Sequence, residues 1–183
     1  MAWVYAGVAA LLAVVWFVWT YNRIVRGRNL VAEGWSGIDV QLKRRHNLIP
    51  ALVETVKGYA KLEKSILENV ASLRAEGLDA TDLKTREQGE NAVTDGLKRL
   101  FAVAEAYPDL KASRSFLDLQ EHLADIEDQI QMARRYYNGA VREYNIRIES
   151  FPSNIVAGLT RSDRAEFFQV ESALEREAPK VEV

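Results

Sequence analysis

The side chains of this sequence with the best chemistry for catalysis or metal binding are its two histidines. A di-metal carboxylate site in a helical bundle needs Glu-x-x-His pairs, which place a carboxylate and an imidazole on one helix face. His46 has Lys43 three residues before it, and His122 has Leu119 in that position. Neither histidine fits the motif, so we predict neither a metal site nor a catalytic histidine. We expect His46 on a helix surface and His122 at the boundary of the core.

Acidic residues of one predicted helix raise the possibility of paired carboxylates for acid–base chemistry: Glu121, Asp125, Glu127 and Asp128. Charged residues off the apolar stripe of a helix normally form a solvated face, which is the interpretation we favour. The sequence has no glycine-rich phosphate loop, nucleophile elbow or metalloprotease motif, and it has no cysteine. We therefore predict a protein without enzymatic activity or cofactor.

Three further polar positions are better explained by structure than by ligand binding. Asn138 and Asn145 recur at a seven-residue spacing beside Tyr137 and Tyr144, so both Tyr-Asn pairs share one helix face. A buried asparagine without a partner costs about 1–3 kcal/mol, so we expect these residues to fix register or to bond across helices. Arg45 lies on an apolar stripe, where a charge is tolerable only if paired. We expect Glu105 or Glu127 to be its partner.

The elements that position these residues are long helices. Apolar residues recur at coiled-coil spacing between positions 21 and 76, and the pattern continues through Pro50, where we expect a kink rather than an end. A second helix is predicted to about Ala106. A third, ended by Phe151-Pro152, carries the most regular stripe: Phe116, Leu119, Leu123, Ile126, Ile130, Ala133, Tyr137, Ala140, Tyr144 and Ile148.

The predicted fold is all-α, with an N-terminal transmembrane helix that continues into an antiparallel up-and-down bundle of long helices. We assign residues 1–22 to the transmembrane helix and residues 23–161 to the bundle. Residues 162–183 are predicted to form a short amphipathic acidic helix, beginning near Asp163, and a tail. No alternation of apolar and polar residues indicates a strand.

The first 22 residues carry no charged side chain, although the 183-residue chain has 24 basic and 26 acidic groups. About 20 apolar residues suffice for a helix to cross the bilayer. A cleaved signal peptide would have a basic start and small residues at its end, and a buried core helix is the other alternative. We favour a retained span, because aromatic side chains that suit the membrane interface flank the apolar residues: Trp3, Trp16, Trp19 and Tyr21.

Basic residues directly after the span predict its orientation. Arg23, Arg26 and Arg28 follow it, and no Lys or Arg precedes it. The positive-inside rule then places the N-terminus outside and the bundle in the cytoplasm, with a periplasmic bundle as the alternative. These arginines also suit anionic lipid. The near-neutral net charge of minus 2 gives no indication of nucleic-acid binding.

Two segments, residues 33–63 and 104–151, resemble the LemA family, and with the N-terminal span the resemblance covers most of the chain. It rests on pieces that agree in order: Arg45, Leu48-Ile49-Pro50, Glu105, Tyr107-Pro108, Gln120, Glu127, Arg134, Tyr137-Asn138, Tyr144-Asn145 and Phe151-Pro152. Ser113 departs from the asparagine of the family pattern, but serine can also cap a helix. The resemblance implies a bacterial membrane protein with one N-terminal span, a helical bundle and no settled enzymatic activity.

Charge distribution suggests self-association. Residues 21–76 hold 10 basic and 6 acidic groups, and residues 77–183 hold 14 and 20. Opposite net charges and apolar stripes on membrane-held helices favour a homo-oligomer that organises or shapes the inner membrane, or recruits other membrane proteins. The alternative is an adaptor or sensor subunit for a partner protein. A hydrolase would require a catalytic constellation that the sequence does not show.

Overall fold

The computed structural model describes residues 1–59 and 82–169. These residues form five helices and no strand, which confirms the predicted all-α fold. The helices are α1 (Ala2–Tyr59), α2 (Leu83–Ala104), α3 (Pro108–Lys111), α4 (Arg114–Glu149) and α5 (Ser153–Leu159). Helix α1 runs through Pro50 without ending, as the periodicity predicts. Its predicted extension to position 76 lies outside the described residues.

Local chemistry explains where the other helices begin and end. Asp82 is the N-cap of α2, and its carboxylate accepts the N–H of Thr85 at 2.9 Å, which lowers the pKa of that carboxyl. Helix α2 ends before Pro108, which in turn begins the single turn α3. Helix α4 ends before Phe151-Pro152, as predicted.

The predicted helix after position 162 is wrong in its described part. Residues 162–169 are not helical. Side chains of α4 bind the backbone of this segment at Asp163, Ala165 and Glu166. A helix would use the same backbone groups within itself, so the two arrangements compete. Residues 170–183 of the predicted helix and tail lie outside the described residues.

The chain divides into two compact units, each with contributions from α1 and α4. Unit 1 comprises residues 1–39 and 132–167, and the described part of unit 2 comprises residues 40–59, 82–131, 168 and 169. The bundle that we assigned to residues 23–161 is thus shared between them. The buried core of unit 1 consists of Ile24, Tyr144, Ile148, Val156 and Ala157. The core of unit 2 consists of Ile49, Leu52, Val53, Val56, Val93, Leu97, Leu100, Ala104, Leu110, Phe116 and Leu123.

Two glycines of α1 allow it to approach α4 closely in unit 1. A Cβ at Gly34 would lie 3.0 Å from the backbone Cα of Tyr137. One at Gly27 would lie 3.1 Å from the Arg147 side chain and 3.2 Å from the ring of Tyr144. The contact at Gly34 is the stricter one, because a backbone atom cannot rotate away as a side chain can.

We expect Gly34→Ala to destabilise the protein by about 1–3 kcal/mol, because the added methyl group forces α1 and α4 apart. The measurement is the free energy of unfolding in mild detergent, followed by circular dichroism. Gly37→Ala is the matched control, since a Cβ there meets nothing within 4 Å. It should stabilise the helix by up to about 1 kcal/mol. Equal effects of the two substitutions would contradict the close approach.

Candidate functional site

The first part of α1 presents an apolar surface that the protein does not cover. An 18-residue window of this helix is apolar enough to cross a membrane, and none of it is buried. Trp3 is 90% exposed, and Trp19 and Tyr21 are also exposed. Removing such a surface from water is favourable, and a bilayer can provide the apolar surroundings. The helix is therefore a candidate membrane anchor.

Burial begins abruptly at the end of this apolar stretch. Thr20 is 4% exposed and Ile24 is 3% exposed, and Ile24 belongs to the core of unit 1. Helix α1 has no interruption here, so the exposed apolar part and the packed part are one element. Unit 1 is thus joined to the candidate anchor without a flexible linker.

The predicted interface residues lie at this transition. Trp16 is half-buried against the core of unit 1. The guanidinium of Arg23 lies 4.8 Å from the ring centroid of Trp19, within range for a cation–π interaction. Arg23, Arg26 and Arg28 are all exposed. This order of aromatic and then basic side chains is typical of the boundary between lipid and water.

The two Tyr-Asn pairs of α4 have a structural role in unit 1. Asn145 is buried, and its side-chain amide both donates to the carbonyl of Ala165 and accepts the N–H of Ala165, each at 2.9 Å. The hydroxyls of Tyr137 and Tyr144 donate to the carbonyls of Glu166 and Asp163. Asn145 is therefore bonded to the non-helical segment after α5 rather than across helices.

Asn138, the other asparagine singled out in the sequence, is half-buried and interacts with another residue.

A buried cluster of charged side chains occupies the interior of unit 2. Arg45 and Glu90 are 0% exposed and His46 is 1% exposed. One terminal nitrogen of Arg45, Nη1, donates to Glu127 Oε1 at 2.8 Å and to Thr94 Oγ1 at 3.1 Å. The other, Nη2, donates to the carboxylate of Glu90 and to its backbone carbonyl.

His46 completes this cluster through the second oxygen of the same carboxylate. Its Nε2 lies 3.0 Å from Glu90 Oε1. Arg45 and His46 are adjacent on α1, while Glu90 belongs to α2 and Glu127 to α4. The cluster therefore joins three helices.

The electrostatics of the cluster favour its charged form. Burial alone would lower the pKa of Arg45, but the carboxylates of Glu127 and Glu90 outweigh that effect and raise it. Burial would raise the pKa of Glu90, but the hydrogen bond from His46 and the charge of Arg45 outweigh it and hold that pKa below its ordinary range. A His-Glu pair can perform acid–base chemistry, but both side chains of this pair are buried. Its geometry suits a structural role.

The sequence predicts a buried pairing for Arg45, with Glu127 as a candidate partner, but not the burial of His46 and Glu90. The predicted pairing of Arg45 with Glu127 is confirmed. Glu105, the other candidate partner, is exposed and is not bonded to Arg45. His46 is buried rather than on a helix surface, and His122 is exposed rather than at the core boundary.

Glu90 was missed, although the sequence contains a signal for it. It precedes Val93 by three residues and Leu97 by seven, which places it on the buried stripe of α2. A lone acid on an apolar stripe needs a buried basic partner. Arg45 on the stripe of α1 has the matching requirement.

Among the described residues, no group of three or more His, Asp or Glu side chains is arranged to hold a metal ion.

The chain is similar in sequence to several known proteins. Residues 34–183 match the LemA family. The chain is 30% identical to Magnetosome protein MamQ 2 of Paramagnetospirillum magneticum, over 91% of its own length and 72% of that protein. It is 25% identical to Magnetosome protein MamQ of Magnetospirillum gryphiswaldense, over 90% and 71%. It is 27% identical to Protein LemA of Metamycoplasma hominis, over 77% and 65%.

We expect Arg45→Leu to cost about 3–5 kcal/mol of folding free energy, because it leaves the buried carboxylate of Glu90 without its cationic partner. Chemical unfolding of the full chain in mild detergent measures this loss. Lys57→Leu is the matched control, since Lys57 also lies on α1 and forms an exposed pair with Glu54. That pair is worth about 0–1 kcal/mol. Similar losses for the two variants would show that the buried cluster contributes no more than a surface pair.

The depressed pKa of Glu90 predicts loss of stability in acid. A carboxyl whose pKa is lower in the folded than in the unfolded state stabilises the fold fully above its unfolded pKa, about 4.3. This contribution is lost as the pH falls through the folded value. Glu90→Gln should therefore flatten the dependence of unfolding free energy on pH below about 4.3. Glu54→Gln, at an exposed position, should leave the wild-type slope unchanged.

Proposed function

We propose, since the chain belongs to the LemA family, that it is a non-enzymatic single-pass membrane protein that assembles with itself and organises or shapes the membrane. The observation that carries this proposal is the continuity of α1 from its exposed apolar part into the core of unit 1. A flexible tether would only keep a domain near the bilayer. A continuous helix also fixes the angle at which unit 1 leaves the membrane.

The location that we propose is the bacterial inner membrane, with the N-terminus outside and the bundle in the cytoplasm. Support comes from the exposed Arg23, Arg26 and Arg28 directly after the apolar stretch. The printed names of the relatives associate two of them with the magnetosome, and none refers to a chemical reaction. These names favour a structural role over a catalytic one.

Self-assembly is supported by an exposed stripe on α4 within unit 1. Met132 and Tyr136 are each about half exposed. They precede Gly139 by seven and three residues and so lie on the same face of α4, and a Cβ at Gly139 would meet nothing within 4 Å. The opposite face of the same helix carries the buried Tyr137, Val141, Tyr144 and Ile148. Two exposed apolar side chains beside a glycine are suited to contact with a further helix, here from another copy.

We expect Met132→Glu to convert assemblies into smaller species, because it places a charge at the proposed contact. The measurement is the particle mass of the full chain in nanodiscs and in mild detergent over a range of concentrations. Leu117→Glu is the control, since Leu117 is a similarly exposed apolar residue of α4 outside the stripe of unit 1. It should leave the assembly unchanged.

Two outcomes would contradict the proposed function. The first is a wild-type protein that stays monomeric at every concentration, which would remove self-assembly. The second is a foreign protein bound in fixed stoichiometry after cross-linking in membranes, with little contact between copies. That result would favour the adaptor or sensor subunit.

A further inference from the structure

A cavity of about 310 Å³ lies in unit 1 where the exposed apolar part of α1 ends. Trp16, Trp19 and Arg23 line it from α1, and Glu143 and Arg147 line it from α4. Its volume is at the lower end of the range for small-molecule sites. That is large enough for a polar headgroup and too small for a whole lipid.

Two guanidinium groups lie on the lining of this cavity. Neither Arg23 nor Arg147 forms an ion pair with a described residue. Their positions are fixed all the same, because Arg147 Nη1 donates to the backbone carbonyl of Arg23 at 3.1 Å and the Arg23 guanidinium lies over Trp19. A guanidinium has five N–H donors, so most remain available to a ligand. Two such groups around one cavity suit a phosphate.

A carboxylate lines the same cavity. Glu143 is exposed and forms no ion pair with a described residue. The lining thus carries two positive charges and one negative charge. A phosphodiester alone would leave the carboxylate unmatched, whereas a headgroup with both a phosphodiester and an ammonium group would pair with all three side chains.

The surroundings of the cavity place it at the level of lipid headgroups, given the membrane anchor of the proposed function, on which this inference rests. Trp16 and Trp19 close the apolar stretch of α1. Phe151 is next to the lining residue Pro152 and is 81% exposed, so a second apolar group projects from the unit beside the cavity. The acyl chains of a lipid bound here would follow the uncovered apolar surface of α1.

We propose that this cavity binds the headgroup of an aminophospholipid, with the phosphodiester held by Arg23 and Arg147 and the ammonium group by Glu143. The ligand is a lipid rather than a free phosphate ester, because the cavity lies where the exposed apolar part of α1 ends, and acyl chains can lie along that apolar surface. Such a site would hold a lipid in a fixed place beside the anchor.

Native mass spectrometry of the full-length protein in mild detergent tests the proposal, with phosphatidylethanolamine and phosphatidylglycerol of equal chain length as probes. The wild type should bind phosphatidylethanolamine about tenfold more tightly, as one charge-assisted contact predicts. Arg23→Gln and Arg147→Gln should each weaken binding of both lipids about tenfold. Glu143→Gln should abolish the preference between them.

Arg26→Gln and Arg142→Gln are the controls, because they remove exposed charges of α1 and α4 that do not line the cavity. They should leave lipid affinity unchanged. Arg147→Lys keeps the positive charge but loses the planar guanidinium with its several N–H donors. This variant should therefore bind the lipids more weakly than wild type and more tightly than Arg147→Gln. Its unfolding curve, compared with wild type, separates loss of the site from loss of the fold.

Three results would overturn the proposal. Equal weakening by the cavity and control substitutions would show nonspecific attraction to charge. Equal affinity for the two lipids would remove the ammonium contact. Binding of glycerophosphoethanolamine as tight as that of the lipid would identify a soluble ligand.

Extraction of membranes with alkaline carbonate tests the anchor separately. A protein released by this treatment would contradict the proposed function. A protein that stays in the membrane but binds no lipid selectively would contradict only the proposed lipid site.

Discussion

The buried charge of Arg45 is the constraint on which unit 2 depends. Burying an isolated guanidinium in an apolar interior costs several kcal/mol of folding free energy. The core can therefore form only if carboxylates are buried beside it. Glu90 from α2 and Glu127 from α4 fill that role, and His46 occupies the oxygen of Glu90 that Arg45 leaves open. A shift of any of these helices by one turn, 5.4 Å, would separate the charges. The cluster therefore specifies which residues meet, while the surrounding apolar side chains supply most of the stabilisation.

Polar side chains in unit 1 have a different role, which is to bond to the backbone of the segment after α5. The segment after α5 is not helical at residues 162–169, so its backbone donors and acceptors need partners outside the segment itself. Tyr137, Tyr144 and Asn145 provide them from one face of α4 at heptad spacing. This explains why the stripe of α4 carries aromatic hydroxyls and an amide where an ordinary bundle seam would carry leucine. The same contacts account for the absence of a helix at residues 162–169.

The parts of the fold that could be predicted from sequence are those set by short-range rules. Periodicity and proline predict the long helices and the end of α4 at Phe151-Pro152. Burial of charge predicts a carboxylate partner for Arg45, with Glu127 as one of two candidates. The parts that could not be predicted depend on which stripes face each other. His46 is polar and has basic neighbours, so its burial follows only once Glu90 is placed opposite. The apolar residues after position 162 fit an amphipathic helix equally well until the hydrogen-bonding groups of α4 are known to face them.

Continuity of α1 at Thr20 determines what the candidate anchor can do. A hinge at the end of a membrane span usually involves proline, glycine or a polar linker that frees the backbone hydrogen bonds. Between the last exposed tryptophan, Trp19, and the buried Ile24 there is no proline or glycine and the helix is unbroken, and Gly27 is packed against Tyr144 and Arg147. Tilting the apolar part against unit 1 would therefore require unpacking that core. A rigid connection of this kind between the candidate anchor and the packed part of unit 1 is the mechanical requirement of the membrane-shaping function that we propose.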